Sequence, residues 1–556
     1  MKNIHKLKIL FLATVILGCS SEDDIVDEWV EANTPEPLSA GTLDLTKYVS
    51  VGNSITAGFY DGALFPEGQA NSYPSILADQ LTLVGGGTFN NPDIISGSTG
   101  TGRISLDIEA ALAFLNAGEG SLADALITGA ANPLSPSSVS INNFGVPGAR
   151  SIDIVTNGYG AANPLYGAFQ SSASASVVGD AAAAGGSFFS LWIGSNDVLG
   201  YARDGGTNDV FVPTDPTTIT DGPINPAAPS APTFSAAIGA TLDALSSGGA
   251  SGVILTIPPI TTIPYFQAAT TLGGGVELVP LTEEAQVAQL NGAFNLPIPT
   301  ALQAGMNPGY NALLAEAVAE GSLTQAEADR RTVSWQVGAN APFITDESLT
   351  SVTVDISEYA GQPAGTILVP LPLYRQAAAA NPLAGLGDLF PLPALFSLGD
   401  VLSPTAIVGV TVPLDDELTL TETEQINIIT AVATFNGVIR AQAAARPNIN
   451  LVDLDPLFAD INGLGVAQAT ALGMSAAGIN AADGIVGRVV NGINLVPISF
   501  EQTTLFNSLY STDFIHPNPR GAALIANEMI EVINDAYDSE IPTVNPLIYP
   551  GINAPF

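Results

Sequence analysis

The chain has 556 residues, 53 of them Asp or Glu and 14 Lys or Arg, for a formal charge of −39 at pH 7. A surface this acidic is repelled by phosphate backbones, which excludes nucleic-acid binding, while 46% hydrophobic and only 12% charged residues support a large core. A single cysteine, Cys19, excludes an intrachain disulfide, a cysteine-based metal site and thiol catalysis.

The first segment, residues 1–18, reads as an export signal. Lys2, Lys6 and Lys8 form a positive region, and Ile9–Leu17 is apolar but too short to span a bilayer. The stretch Ile16-Leu17-Gly18-Cys19 resembles the lipobox of bacterial lipoproteins, and this implies cleavage before Cys19 and lipidation there. Ser20-Ser21-Glu22-Asp23-Asp24 resembles the acidic surface-export tags of Bacteroidetes-type lipoproteins. Residues 19–44 are acidic, contain proline and show no sustained period, as expected of a tether. The expected location is therefore the outer membrane, held by the lipid and exposed at the cell surface.

Five short apolar runs rich in β-branched or aromatic residues read as buried strands: Tyr48–Val51, Val139–Asn143, Phe188–Ile193, Val253–Ile257 and Ile449–Val452. Helical patterns fall between them at Ser72–Leu81, then after Thr421, and finally at Pro519–Ala536. Thr421 and Glu424 match a capping box; Ile428, Val432, Phe435 and Ile439 follow at helical spacing up to Pro447. Strands alternating with helices predict a three-layer α/β/α sandwich around a five-stranded, mostly parallel sheet. The interval between the fourth and fifth strands is too long for one crossover, so residues 264–418 form an insertion: a lid, a cap or a small subdomain. It holds a helical piece over Tyr310–Asp329 and β-like runs at Ser351–Ile356 and Ala406–Val412. Residues 541–556 are proline-rich and aperiodic, an extended tail.

In an open α/β sheet, ligands bind beyond the carboxyl ends of the strands, so the residues following each strand carry the most information. They are Gly52-Asn53-Ser54-Ile55, Asn143-Phe144-Gly145-Val146-Pro147-Gly148, and Gly194-Ser195-Asn196-Asp197. Before the last helix stands Asp513-Phe514-Ile515-His516-Pro517. The chain has two histidines, His5 and His516, so removal of the leader leaves one imidazole. Histidine is the usual base for activating a hydroxyl, and a carboxylate three residues earlier can orient its ring.

These four blocks, in this order, resemble the SGNH/GDSL hydrolase family, over about residues 45–263 and 419–540. The resemblance implies a flavodoxin-like sheet, Ser54 as nucleophile, His516 as base and Asp513 as the acid that orients it. It also implies an oxyanion hole made of the Ser54 N–H, the Gly148 N–H and the Asn196 amide. The family usually carries Asp where this chain has Asn53; that position is not a proton carrier, and Asn makes similar turn contacts. Independently of the family, a serine hydroxyl needs a base within reach, and the intermediate needs aimed donors.

Three weaker features accompany the site. Asp453, Asp455, Asp460 and Asn462 are close in sequence but do not match an EF-hand spacing, so no metal is expected. Arg150 is placed to steer an anionic substrate or to make a surface ion pair. Tyr60, Asp61, Phe65 and Tyr73 line a pocket wall or pack inside. The expectation is a serine ester hydrolase without cofactor, acting on a lipidic ester or, alternatively, on an acetylated glycan. The apolar stretch Leu368–Leu395 favours an acyl chain. The rival outside catalysis is a surface binding protein on a decayed hydrolase scaffold.

Overall fold

Five strands pair edge to edge in the order β2-β1-β3-β4-β5. They are β1 (Tyr48–Gly52), β2 (Asn143–Gly145), β3 (Phe188–Trp192), β4 (Ser251–Leu255) and β5 (Ile449–Val452). Every ladder among them is parallel, so the sheet is wholly rather than mostly parallel. The computed structural model describes residues 38–95, 102–107, 109–110, 125–129, 133–206, 234–267, 279–304, 306–345, 352–355, 366–369, 389, 401–403, 406–479, 488–499 and 504–554. The leader, Cys19, most of the tether and nearly all of Leu368–Leu395 lie outside these residues.

β1 and β3 are buried along their whole length, as continuous apolar runs in a parallel sheet covered on both faces should be. Eight helices matter for the site: α1 (Ser54–Ala57), α2 (Tyr73–Leu83), α3 (Ser151–Val155), α4 (Val177–Ala183), α5 (Ser195–Arg203), α6 (Phe234–Ser246), α7 (Glu422–Ala444) and α8 (Pro519–Tyr537). α2 and α8 pack together in one layer, and α3, α4, α6 and α7 form the other. The result is the expected three-layer sandwich. α7 starts as anticipated, with the Thr421 N–H donating to Glu424 Oε2 at 2.7 Å. Phe435 on α7 stacks on Phe234 of α6 with centroids 4.1 Å apart. Among the described residues no helix is long and apolar enough to cross a membrane.

Two strand boundaries differ from expectation for local reasons. β2 begins at Asn143 rather than Val139, because Asn142 diverts the pairing: its Nδ2 donates to Tyr48 O at 2.9 Å and its Oδ1 accepts the Asn90 N–H. β4 ends at Leu255: the Thr256 N–H still donates to Val452 O of β5 at 3.2 Å, but at Ile257 a side chain takes the place of the neighbouring strand. Asn436 on α7 accepts the Ile257 N–H at 2.7 Å and donates to Ile257 O at 2.9 Å.

The insertion has apolar clusters of its own, one around Leu313, Leu314 and Val354 and one around Phe294, Trp335 and Phe343. The expected helix over Tyr310–Asp329 is two helices, Tyr310–Ala319 and Gln325–Arg331. Gly321 at φ +77° ends the first, and the Thr324 hydroxyl caps the second. The run Ser351–Ile356 contains strand Val352–Asp355, paired antiparallel with Thr366–Val369. Of Ala406–Val412 only Ala406–Ile407 is strand, since the Thr411 N–H turns back to Ile407 O. The tail beyond residue 540 lies against the body: the Arg520 guanidinium donates to Tyr549 O, and Ile541 and Ile552 are buried.

Candidate active site

The strand order reverses direction around β1: the chain leaves β1 for β2 on one side, then crosses to β3 on the other. That switch point is where an open α/β sheet leaves a crevice at its carboxyl edge. Register carries the candidate residues there, because Gly52 of β1 is level with Gly145 of β2 and Trp192 of β3. Ser54, Gly148 and Asn196 each follow within four residues of one of these positions.

The turn from β1 into α1 is tightly fitted. A Cβ on Gly52 would stand 2.1 Å from Thr56 Oγ1, and one on Gly145 would stand 2.3 Å from Ala57 N. Both positions therefore require glycine, and α1 is pressed against the end of β2. Asn53 is buried and its Oδ1 accepts the Ile55 N–H at 3.1 Å. This is the cap an aspartate would make there, supplied by a neutral side chain. It leaves Ser54 on the first turn of the helix.

Ser54 Oγ lies 2.8 Å from His516 Nε2, and His516 Nδ1 lies 2.8 Å from Asp513 Oδ2. The three residues that the sequence singles out thus form one hydrogen-bonded chain, although 462 positions separate the serine and the histidine. Asp513 is surrounded by donors. Its Oδ1 accepts the backbone N–H of Ile515 and of His516 and the Ser511 hydroxyl; its Oδ2 accepts the Gly62 N–H. Burial alone pushes this carboxyl up, but the His516 charge and these hydrogen bonds outweigh it and hold the carboxyl at about 2. Phe514, between acid and base, adopts φ +64° in the left-handed region, which folds the segment tightly enough for Asp513 to reach the ring. The Phe59 ring leans on the imidazole with centroids 5.1 Å apart.

The oxyanion candidates come to the same edge. Gly148 is exposed at φ +80°, with open space where a Cβ would stand. Among the described residues, the backbone N–H groups of Ser54 and Gly148 have no protein acceptor. Asn196 donates one amide N–H to Ala149 O at 2.9 Å, which ties it to the Gly148 turn and leaves its second N–H to donate elsewhere. Asp197 locks the same two loops together, accepting the Ser151 N–H at 2.9 Å and the Ser151 hydroxyl at 2.5 Å.

Comparison of the chain with known protein families, curated proteins and solved structures finds no match. The residues themselves carry the functional argument.

Other candidates from the sequence fall outside the chemistry. Arg150 is committed to Asp153, 3.1 Å away, and is not a free anion-steering group. Arg440 takes Asp453 at 3.0 Å and Asp455 at 2.5 Å, so these two carboxylates belong to an ion-pair cluster, and Asn462 donates to Phe458 O within its own helix. Tyr60, Phe65 and Tyr73 pack: Tyr60 and Phe65 meet edge to face, and the Tyr73 hydroxyl bonds Thr56 Oγ1.

The sequence placed Asp61 in a pocket wall or in the interior, and neither its hold on the histidine loop nor Arg103 was foreseen. Asp61, nearly fully buried, accepts the Thr512 N–H at 3.1 Å and pairs with Arg103 at 2.8 Å. Its own N–H donates to Ser511 Oγ at 3.0 Å. The available signals were faint: the Asp61-Gly62 turn dipeptide and the Ser511-Thr512-Asp513 run of small polar residues. A small apolar pocket of about 30 Å³ adjoins the site. Ile55, Ile515 and Pro517, neighbours of the serine and the histidine, form part of its wall, with Leu457, Ile461 and Ile525 behind them.

Proposed function

We propose that this chain is a serine ester hydrolase of the SGNH type. The observation that carries the reading is the unbroken hydrogen-bond chain from Ser54 Oγ through His516 to the ionised Asp513. In the mechanism this geometry supports, the Ser54 hydroxyl donates to His516 Nε2 and attacks the acyl carbonyl. The proton passes to Nε2, and Asp513 stabilises the imidazolium through Nδ1–H. The tetrahedral oxyanion takes hydrogen bonds from the Ser54 and Gly148 N–H groups and from the free amide hydrogen of Asn196. His516 returns the proton to the leaving alcohol. Water, deprotonated by the same imidazole, then releases the acid and regenerates Ser54. Apart from the substrate and this water, each step uses side chains and backbone of this chain.

The apolar pocket between Ile55, Ile515 and Ile525 favours an aliphatic acyl ester over an acetylated glycan. The lipobox-like Ile16–Cys19 supports anchoring of the enzyme by lipid at the outer membrane, facing ester substrates outside the cytoplasm. The test is hydrolysis of p-nitrophenyl acetate, butyrate and octanoate by wild type and Ser54→Ala. Turnover by wild type that disappears in the variant is the expected result. Wild type inert toward every ester, glycan acetates included, would leave the binding-protein alternative standing.

A further inference from the structure

The base of the proposed triad rests on a second, partly buried pair of charges. Arg103 donates to Asp61 Oδ2 with both Nε, at 3.2 Å, and Nη2, at 2.8 Å. Its guanidinium lies over the Phe65 ring, 4.1 Å from the centroid, and its Nη1 meets Glu67 at the protein surface. Asp61 itself is held at φ +51° and spans between Arg103 and the histidine loop. Its Oδ1 bonds both the N–H and the hydroxyl of Thr512, the residue before Asp513. Burial pushes the Asp61 carboxyl up, Arg103 and Thr512 pull it down, and the charge of Asp513 opposes its ionisation. Two carboxylates therefore stand close together at the histidine loop: Asp513 bonds the imidazole, and Asp61 has a cation of its own.

We infer that Arg103 and Asp61 are positioning residues: they fix the Ser511–His516 loop and keep the charge felt by His516 at that of a single carboxylate. The inference rests on the reading of His516 as the general base. Its physical content is a sign rule. Removing the Arg103 charge exposes His516 to a second anion, which favours imidazolium; removing the Asp61 charge takes an anion away from the histidine loop, while Arg103 keeps Glu67, and this disfavours it. The charged and titratable groups facing this pair are Asp513, Glu67 and Tyr60. None of them compensates a lost guanidinium, since Asp513 and Glu67 are acidic and the Tyr60 phenol is pushed well above its ordinary value by burial.

The experiment is an NMR titration of the ¹³C-labelled imidazole of His516 in the full chain, with His5→Gln to assign the signals. Arg103→Gln is expected to raise the midpoint by about half a unit and Asp61→Asn to lower it by a similar amount. The double variant should return close to wild type, and Arg103→Lys should stay there. A purely structural pair would weaken the fold without moving the midpoint. Coincident midpoints in all variants, or both single variants moving the same way, would overturn the inference. Should Arg103→Gln fail to fold, Asp61→Asn decides alone: a downward shift supports the proposal and no shift overturns it. The readout is the imidazole itself, so inactivity toward every ester would sink the hydrolase reading without touching this result.

Discussion

The two halves of the candidate site are built on different principles. The nucleophile half (Ser54, Gly148 and Asn196) sits on regular structure, at the ends of β1, β2 and β3, where strand register and two obligatory glycines set positions. The base half (Asp513 and His516) sits on an irregular loop with a left-handed residue, held by side-chain bonds to Asp61, Gly62 and Ser511. A scaffold of strands tolerates the loss of one hydrogen bond; a loop held by a few does not. The nucleophile half should therefore respond to substitution mainly through chemistry, and the base half through chemistry and geometry together.

The largest effects should come from either end of the hydrogen-bond chain. Ser54→Ala and His516→Ala should each lower kcat on the order of 10⁶-fold with the fold intact, measured as ester turnover beside circular dichroism. The double variant should be no worse than either single one, because the two groups act as a unit. Asp513→Asn should follow at about 10⁴-fold, since an amide in place of the carboxylate favours the wrong tautomer of His516. Its loss should exceed that of Asn196→Ala, expected at about 10²–10³-fold in kcat with little change in KM, as for one missing oxyanion donor.

Acid stability separates the halves differently. The Asp513 carboxyl is held at about 2, below its unfolded value, so its ionised form stabilises the native state. That contribution, about 2 kcal/mol, is full above pH 4 and disappears as the pH falls toward 2. The stability gap between wild type and Asp513→Asn in urea melts should therefore close over that window, whereas Asn196→Ala should show a pH-independent gap. Smallest of all, Thr512→Val removes one hydroxyl from Asp61 and should lower kcat about tenfold. An equal loss on Ser151→Ala, the matching hydroxyl of the nucleophile half, would erase the contrast.

The sheet and the four polar blocks were legible because both follow from short-range pattern. Continuous apolar runs of four to six residues mark strands buried on both faces, and a ligand edge must follow them. The edge of β2 was misread because pairing there is decided by Asn142, a side chain whose partners lie on other segments. The capping box at Thr421 was readable for the opposite reason: both its members lie within one turn. Arg103 and Asp61 were illegible as support for His516, since more than 400 positions separate Asp61 from Thr512 and no local period links them. In the insertion the cause is local: the Tyr310–Asp329 run reads as one helix, but Gly321 at φ +77° ends the first helix before Thr324 starts the second.

The central claim is that Ser54 is a nucleophile made reactive by His516. The most direct measurement is intact-protein mass spectrometry after exposure to a fluorophosphonate, with the adduct mapped by peptide analysis. One stoichiometric adduct on Ser54 is expected in wild type, none in Ser54→Ala, and labelling slowed by several orders of magnitude in His516→Ala. An unmodified wild type, or an adduct on another serine, would contradict the account.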